Sequence, residues 1–128
     1  MLRILFGLFL MAHGLIHASY LTPAPSGAGP SWPFDLGRSA LLGALGEPTL
    51  RVLGTGLAAV TIATFLLAGV AFLWLGMGDG WVPLAIAGSV ASLLLLVIFW
   101  HPWLALGVAI DLALLWLLGV ARWPQSIA

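Results

Sequence analysis

The chain has 128 residues, 62% of them apolar and 6% charged, with a mean hydropathy of +1.18. An ordinary soluble domain carries about 25% charged residues, so four arginines, no lysine and four acids cannot cover a water-facing surface, which excludes a soluble enzyme. The same composition excludes disorder, which needs low hydrophobicity and high charge. A net charge of zero leaves no basic footprint for nucleic acid, and the absence of cysteine removes disulfides, thiolate nucleophiles and Cys-ligated metal.

A membrane-spanning helix needs about 20 mostly apolar residues, and the sequence offers four such stretches in chain order. The first runs from Ile4 to Tyr20, the second from about Leu50 to Met77, the third from Val82 to Trp100 and the fourth from Trp103 to Ala121. The expected fold class is therefore all-α, a polytopic four-helix membrane bundle forming a single membrane domain over residues 1–128. Pro48, Pro83 and Pro102 stand at helix starts, where the missing N–H costs nothing. Gly76, Gly78 and Gly80 punctuate the second turn, and His101-Pro102 leaves almost no loop before the fourth helix. Trp74, Trp81, Trp100, Trp103 and Trp123, with Tyr20 and Trp32, fall at span ends as an interfacial belt, while Trp116 lies within a span.

The first segment also has the outline of a signal peptide, an arginine followed by an apolar core. Its apolar run continues through the histidines without a small-x-small site, so it reads as a retained span. The loop 21–49 divides in two. Thr22 to Pro33 is rich in Pro, Gly and Ser and reads as irregular; Phe34 to Leu45 reads as a short amphipathic helix capped by Asp35, with Leu41, Leu42 and Leu45 on the apolar boundary. Four spans place both termini on one side, with Arg3, Arg122 and Asp79; Asp35, Arg38, Glu47 and Arg51 lie on the other. Two arginines stand on each side, and the free amine tips the expectation toward cytoplasmic termini in the cell membrane.

Polar groups in a hydrocarbon setting are costly, so they carry the information. With a rise of about 1.5 Å per residue, His17 lies about 5 Å and His13 about 10 Å below Tyr20. Asp111 lies about 13 Å below Pro102, Ser92 about 12 Å below Trp100, and Thr61 about 15 Å below Arg51. His13, Thr61, Ser92 and Asp111 thus share one layer, with His17 and His101 above it. His13 and His17, at i and i+4, share a face, whereas Gly7, Gly14 and Ala18 form a stripe suited to close helix contact. Ala105, Ala109 and Ala113 form a similar stripe roughly opposite Asp111, and Gly54-x-Gly56 reads as close packing. Asp35–Arg38 and Glu47–Arg51 have the spacing of structural ion pairs.

These positions define a candidate ligand or proton site of His13, His17 and Asp111, with Ser92 and Thr61 as hydrogen-bonding partners and a polar ladder through His17 to His101. His13 and His17 are also spaced to chelate one metal ion, for which His101 or Asp111 would be the third ligand. Gly14 stands where a zincin motif has glutamate, and two histidines on one face cannot supply opposite axial ligands to one haem iron. The candidate cofactors are accordingly a quinone, a metal ion or haem. Three roles compete: a small-ligand or ion-binding membrane protein, a quinone-linked or metal-dependent oxidoreductase, and a purely structural accessory subunit. The expected partners are the lipid bilayer and either a second copy or a larger membrane complex, with no nucleic acid.

The opening Leu2-Arg3-Ile4-Leu5-Phe6-Gly7-Leu8-Phe9-Leu10-Met11-Ala12-His13-Gly14-Leu15 resembles the first helix of DoxX-like membrane proteins. The resemblance covers these residues and the four-helix layout. It implies a four-helix bundle and a subunit of a redox-linked assembly, since some DoxX-like proteins are linked to sulfur or quinone oxidation. No catalytic residue carries over. The long Pro-rich first loop and the Phe99-Trp100-His101-Pro102-Trp103 hairpin depart from that pattern.

Overall fold

A computed structural model describes residues 1–74 and 78–123. The protein is all-helical, and four of its helices are long and apolar enough to cross a membrane. Helix α1 spans Leu2–Ile16 and continues as a 3-10 turn over His17–Leu21. Helix α2 spans Glu47–Leu73, α3 Trp81–Ile98 and α4 Ala105–Leu115, the last continuing as a π-turn over Trp116–Val120. Pro48 lies in the first turn of α2, and Pro102 opens the 3-10 turn Pro102–Leu104 that leads into α4. The expected reach of the second span to Met77 and the expected turn residue Gly76 lie outside the described residues.

Sequential neighbours make the main pairings: α1 on α2, α2 on α3, and α3 on α4. Glycine brings the first pair close. A Cβ on Gly7 would stand 2.5 Å from Leu73 Cγ, and one on Gly14 would stand 2.6 Å from Phe65 Cβ. Gly69 answers from α2, where a Cβ would meet the Gly7 carbonyl oxygen at 2.8 Å. The expected small-residue stripe on α1 is thus a contact face, with Ala18 half-buried beside it. On the side of the termini, Phe6, Phe72, Trp81 and Trp123 pack edge to face, and the Arg3 guanidinium donates to the Phe72 carbonyl at 3.0 Å. That carbonyl belongs to the last turn of α2, where intrahelical donors run out.

Three expectations fail in instructive ways. The segment Phe34 to Leu45 is not an amphipathic helix; only Gly43–Leu45 forms a 3-10 turn. Asp35 Oδ1 accepts from the Gly37 N–H at 2.8 Å in a local turn rather than capping a helix. The segment is held from outside: Leu36 is buried against Gly54, and Ser39 donates to the Ile98 carbonyl at 2.6 Å, satisfying the end of α3. Tertiary anchors therefore replace a helical hydrogen-bond ladder that Gly37 and Gly43 would weaken. Gly54 consequently packs against this loop, whereas Gly56 faces outward with nothing within 4 Å. The stripe Ala105, Ala109 and Ala113 is exposed rather than packed, because α4 turns Asp111, Leu114 and Leu118 inward.

The ion pairs match their spacing. Arg38 meets Asp35 at 3.1 Å and Arg51 meets Glu47 at 2.8 Å, both on the loop side.

Candidate functional site

The polar layer assembles from three helices. His13 and His17 come from α1 and its terminal turn, Ser92 from α3 and Asp111 from α4. His13 Nε2 lies 2.8 Å from Asp111 Oδ1. Ser92 Oγ lies 2.5 Å from Asp111 Oδ2 and 2.8 Å from His17 Nε2. His17 Nδ1 lies 2.9 Å from the His13 carbonyl oxygen. Asp111 and Ser92 are 0% exposed, so the carboxyl has no contact with solvent or lipid.

Local structure explains the last of these bonds. At His17 the helix tightens from α to 3-10, and its backbone N–H turns to the Gly14 carbonyl. The His13 carbonyl is thereby released from the helical ladder and accepts the ring N–H of His17 instead. Aromatic neighbours fix both rings. Phe9 stacks on His13 at 5.9 Å and Phe65 meets it edge-on at 4.9 Å; Tyr20 stacks on His17 at 6.3 Å.

The remaining candidates make other bonds. Thr61 is buried in the expected layer, but its hydroxyl donates to the Leu57 carbonyl of its own helix at 2.8 Å. That back-bond satisfies the only donor it has, so nothing draws it toward Asp111. His101 sits in the α3–α4 hairpin, where Nδ1 accepts the Trp103 N–H at 3.2 Å. Among the described residues no hydrogen bond joins His17 to His101, and Tyr20 stacks on His17. Nor do His13 and His17 present a chelating pair. Both nitrogens of His17 are engaged, one His13 nitrogen is turned to Asp111, and the rings stand nearly perpendicular at 85°. Among the described residues no group of three His, Cys, Asp or Glu is placed to hold a metal ion.

A cavity of about 160 Å³ adjoins the network in the seam between the first and last spans. His13, His17 and Tyr20 line it from one helix, Trp103, Gly107 and Ile110 from the other. The seam is open because these two spans are joined chiefly through His13 and Asp111, each packing instead on its chain neighbour. Exposed Ile16 and Leu106 border the cavity, so it opens sideways, toward acyl chains. His13 Nδ1 makes no hydrogen bond among the described residues and is not fully enclosed. The Tyr20 hydroxyl is buried and has no partner among the described residues. Tyr20 is the residue that sequence reasoning placed only at the interface. Its spacing of i+3 from His17 and i+7 from His13 already put it on their face.

Comparison with family models, curated proteins and solved structures gives no match.

Proposed function

We propose that this multi-pass protein of the cell membrane, its termini cytoplasmic, binds a small lipid-soluble molecule with a ring-sized, hydrogen-bonding head in the seam between α1 and α4. The observation that carries the reading is the lateral cavity lined by His13 and His17, the two histidines of the buried network. Its volume of about 160 Å³ suits a single six-membered ring, since a cavity of about 150 Å³ accepts benzene. A quinone in its reduced, quinol form fits this description: a flat ring whose hydroxyls can donate hydrogen bonds. His13, whose Nε2–H is turned to Asp111, offers Nδ1 as an acceptor to a hydroxyl of such a ligand, and a tail would leave between Ile16 and Leu106. The resemblance of the first helix to DoxX-like proteins, some of which are linked to sulfur or quinone oxidation, is in keeping with a redox-linked role.

Titration of a short-chain quinol, kept anaerobic, into the protein in lipid nanodiscs tests this, read as quenching of Trp103 against a Trp103→Phe control. Saturable quenching is expected, lost both in His13→Ala and in Gly107→Val, which places methyl groups at the cavity wall. Non-saturable quenching that both variants leave unchanged would overturn the reading. A second reading, a subunit of a larger membrane assembly, is favoured by the exposed Ala105, Ala109 and Ala113 face, a surface on which a further helix packs closely. Co-purification of a stoichiometric partner from mild detergent supports that role, and a protein that purifies alone opposes it.

A further inference from the structure

The buried network contains a proton count that its geometry dictates. A backbone carbonyl accepts and never donates, so the 2.9 Å contact with the His13 carbonyl requires a hydrogen on His17 Nδ1. Ser92 then touches two further groups, His17 Nε2 at 2.8 Å and Asp111 Oδ2 at 2.5 Å. A serine hydroxyl has a single proton and can donate to one of them only. If it donates to Asp111, Nε2 must itself carry a proton, and His17 is an imidazolium beside a carboxylate. If it donates to His17, Oδ2 must carry the proton, and all groups are neutral. In both arrangements His13 Nε2–H donates to Asp111 Oδ1 at 2.8 Å.

The two arrangements contain the same atoms and the same protons, and each sums to zero charge. Removing one proton would set two lone pairs against each other across Ser92 and leave a net negative charge. Adding one would leave a net positive charge. Neither charge has a counter-ion at hand. The arginines are Arg3, Arg38 and Arg51, paired with the Phe72 carbonyl, Asp35 and Glu47, and exposed Arg122 beyond α4. An uncompensated charge at this depth is costly.

We infer that Asp111, Ser92 and His17 form an intramembrane proton relay, in which one proton passes between carboxyl and imidazole through the serine hydroxyl. In the forward step the Asp111 Oδ2–H bond breaks as Ser92 Oγ takes that proton, and the Ser92 O–H bond breaks as His17 Nε2 takes the other. The products are carboxylate, hydroxyl and imidazolium; the reverse step restores the neutral set. The relay links Asp111, which is 0% exposed, to His17, which lines the cavity. Ser92 is a positioning and transfer residue, and its hydroxyl is the part the relay needs.

The test uses the full-length protein in lipid nanodiscs with no ligand added, so its outcome is separate from that of quinol binding. Infrared spectra report the protonated carboxyl, assigned by its loss in Asp111→Asn, and nitrogen NMR reports protonation at both His17 nitrogens. The expected result is a one-for-one exchange with temperature: carboxylic-acid signal lost equals doubly protonated His17 gained. Ser92→Ala should abolish the exchange and Ser92→Thr should retain it. An ionised Asp111 together with a neutral His17 would overturn the inference. So would a proton fixed on either residue at all temperatures, or an exchange that survives Ser92→Ala. The wild-type spectra alone decide the proton count, whether or not the alanine variant folds.

Discussion

Replacing Asp111 by asparagine or by alanine separates what the carboxyl contributes as a shape from what it contributes as a charge. Asparagine has nearly the same outline. Its amide oxygen can accept from His13 Nε2–H in place of Oδ1, and its NH₂ can donate to Ser92 Oγ in place of a protonated Oδ2. Ser92 then donates to His17 Nε2, and the neutral arrangement is reproduced bond for bond. Asp111→Asn leaves only its second amide hydrogen without a partner and should cost about 1 kcal/mol, less than alanine. Alanine removes the partner of both His13 and Ser92. Two hydrogen bonds at the ~0.6 kcal/mol average between membrane helices set a floor of about 1 kcal/mol. The stranded His13 N–H adds about 1–3 kcal/mol to this, while Ser92 keeps its bond to His17, so the expected loss is about 2–4 kcal/mol. Equilibrium unfolding in mixed micelles, titrated with a denaturing detergent and followed by tryptophan fluorescence, measures both variants. If asparagine destabilises as much as alanine, the network depends on a fixed negative charge, and the neutral hydrogen-bond accounting is refuted.

Gly14→Ala should cost about 1–3 kcal/mol in the same assay, because the new Cβ would stand 2.6 Å from Phe65 Cβ. Gly56→Ala, with nothing within 4 Å, should be neutral or stabilise by up to about 1 kcal/mol through helix propensity; equal losses at both sites would contradict the packing. Single cysteines at Ser26 and Asp79, both exposed, should label with a membrane-impermeant maleimide from opposite faces of the bilayer. Labelling of both from one face would refute the four-span topology.

Span number and relative depth were legible in the residues because each follows from lengths along a chain of constant rise. Twenty apolar residues cross a bilayer, tight hairpins fix the ends, and about 1.5 Å per residue then puts His13, Ser92 and Asp111 at one level. Hydrogen bonds of 2.8 and 2.5 Å now join those residues. Facing was not legible in the same way. In water, an apolar stripe marks the inside of a helix; in lipid both sides are apolar, so periodicity loses its sign. Ala105, Ala109 and Ala113 read as a packing stripe for that reason and proved exposed. Thr61 had the right depth but a carbonyl of its own helix within reach, and His101 had one ring nitrogen taken by the hairpin backbone. The loop after α1 carried a helical pattern that Leu36 and Ser39 overrode by anchoring to α2 and α3. The sequence by itself determined a four-helix membrane protein with polar groups gathered in one half. Tertiary structure alone decided that Asp111 meets His13 and Ser92, that Tyr20 stacks on His17, and that the seam between the first and last spans stays open. Those outcomes depend on which way each helix is rotated, and rotation is set by the mutual pairing of buried polar groups rather than by any one helix.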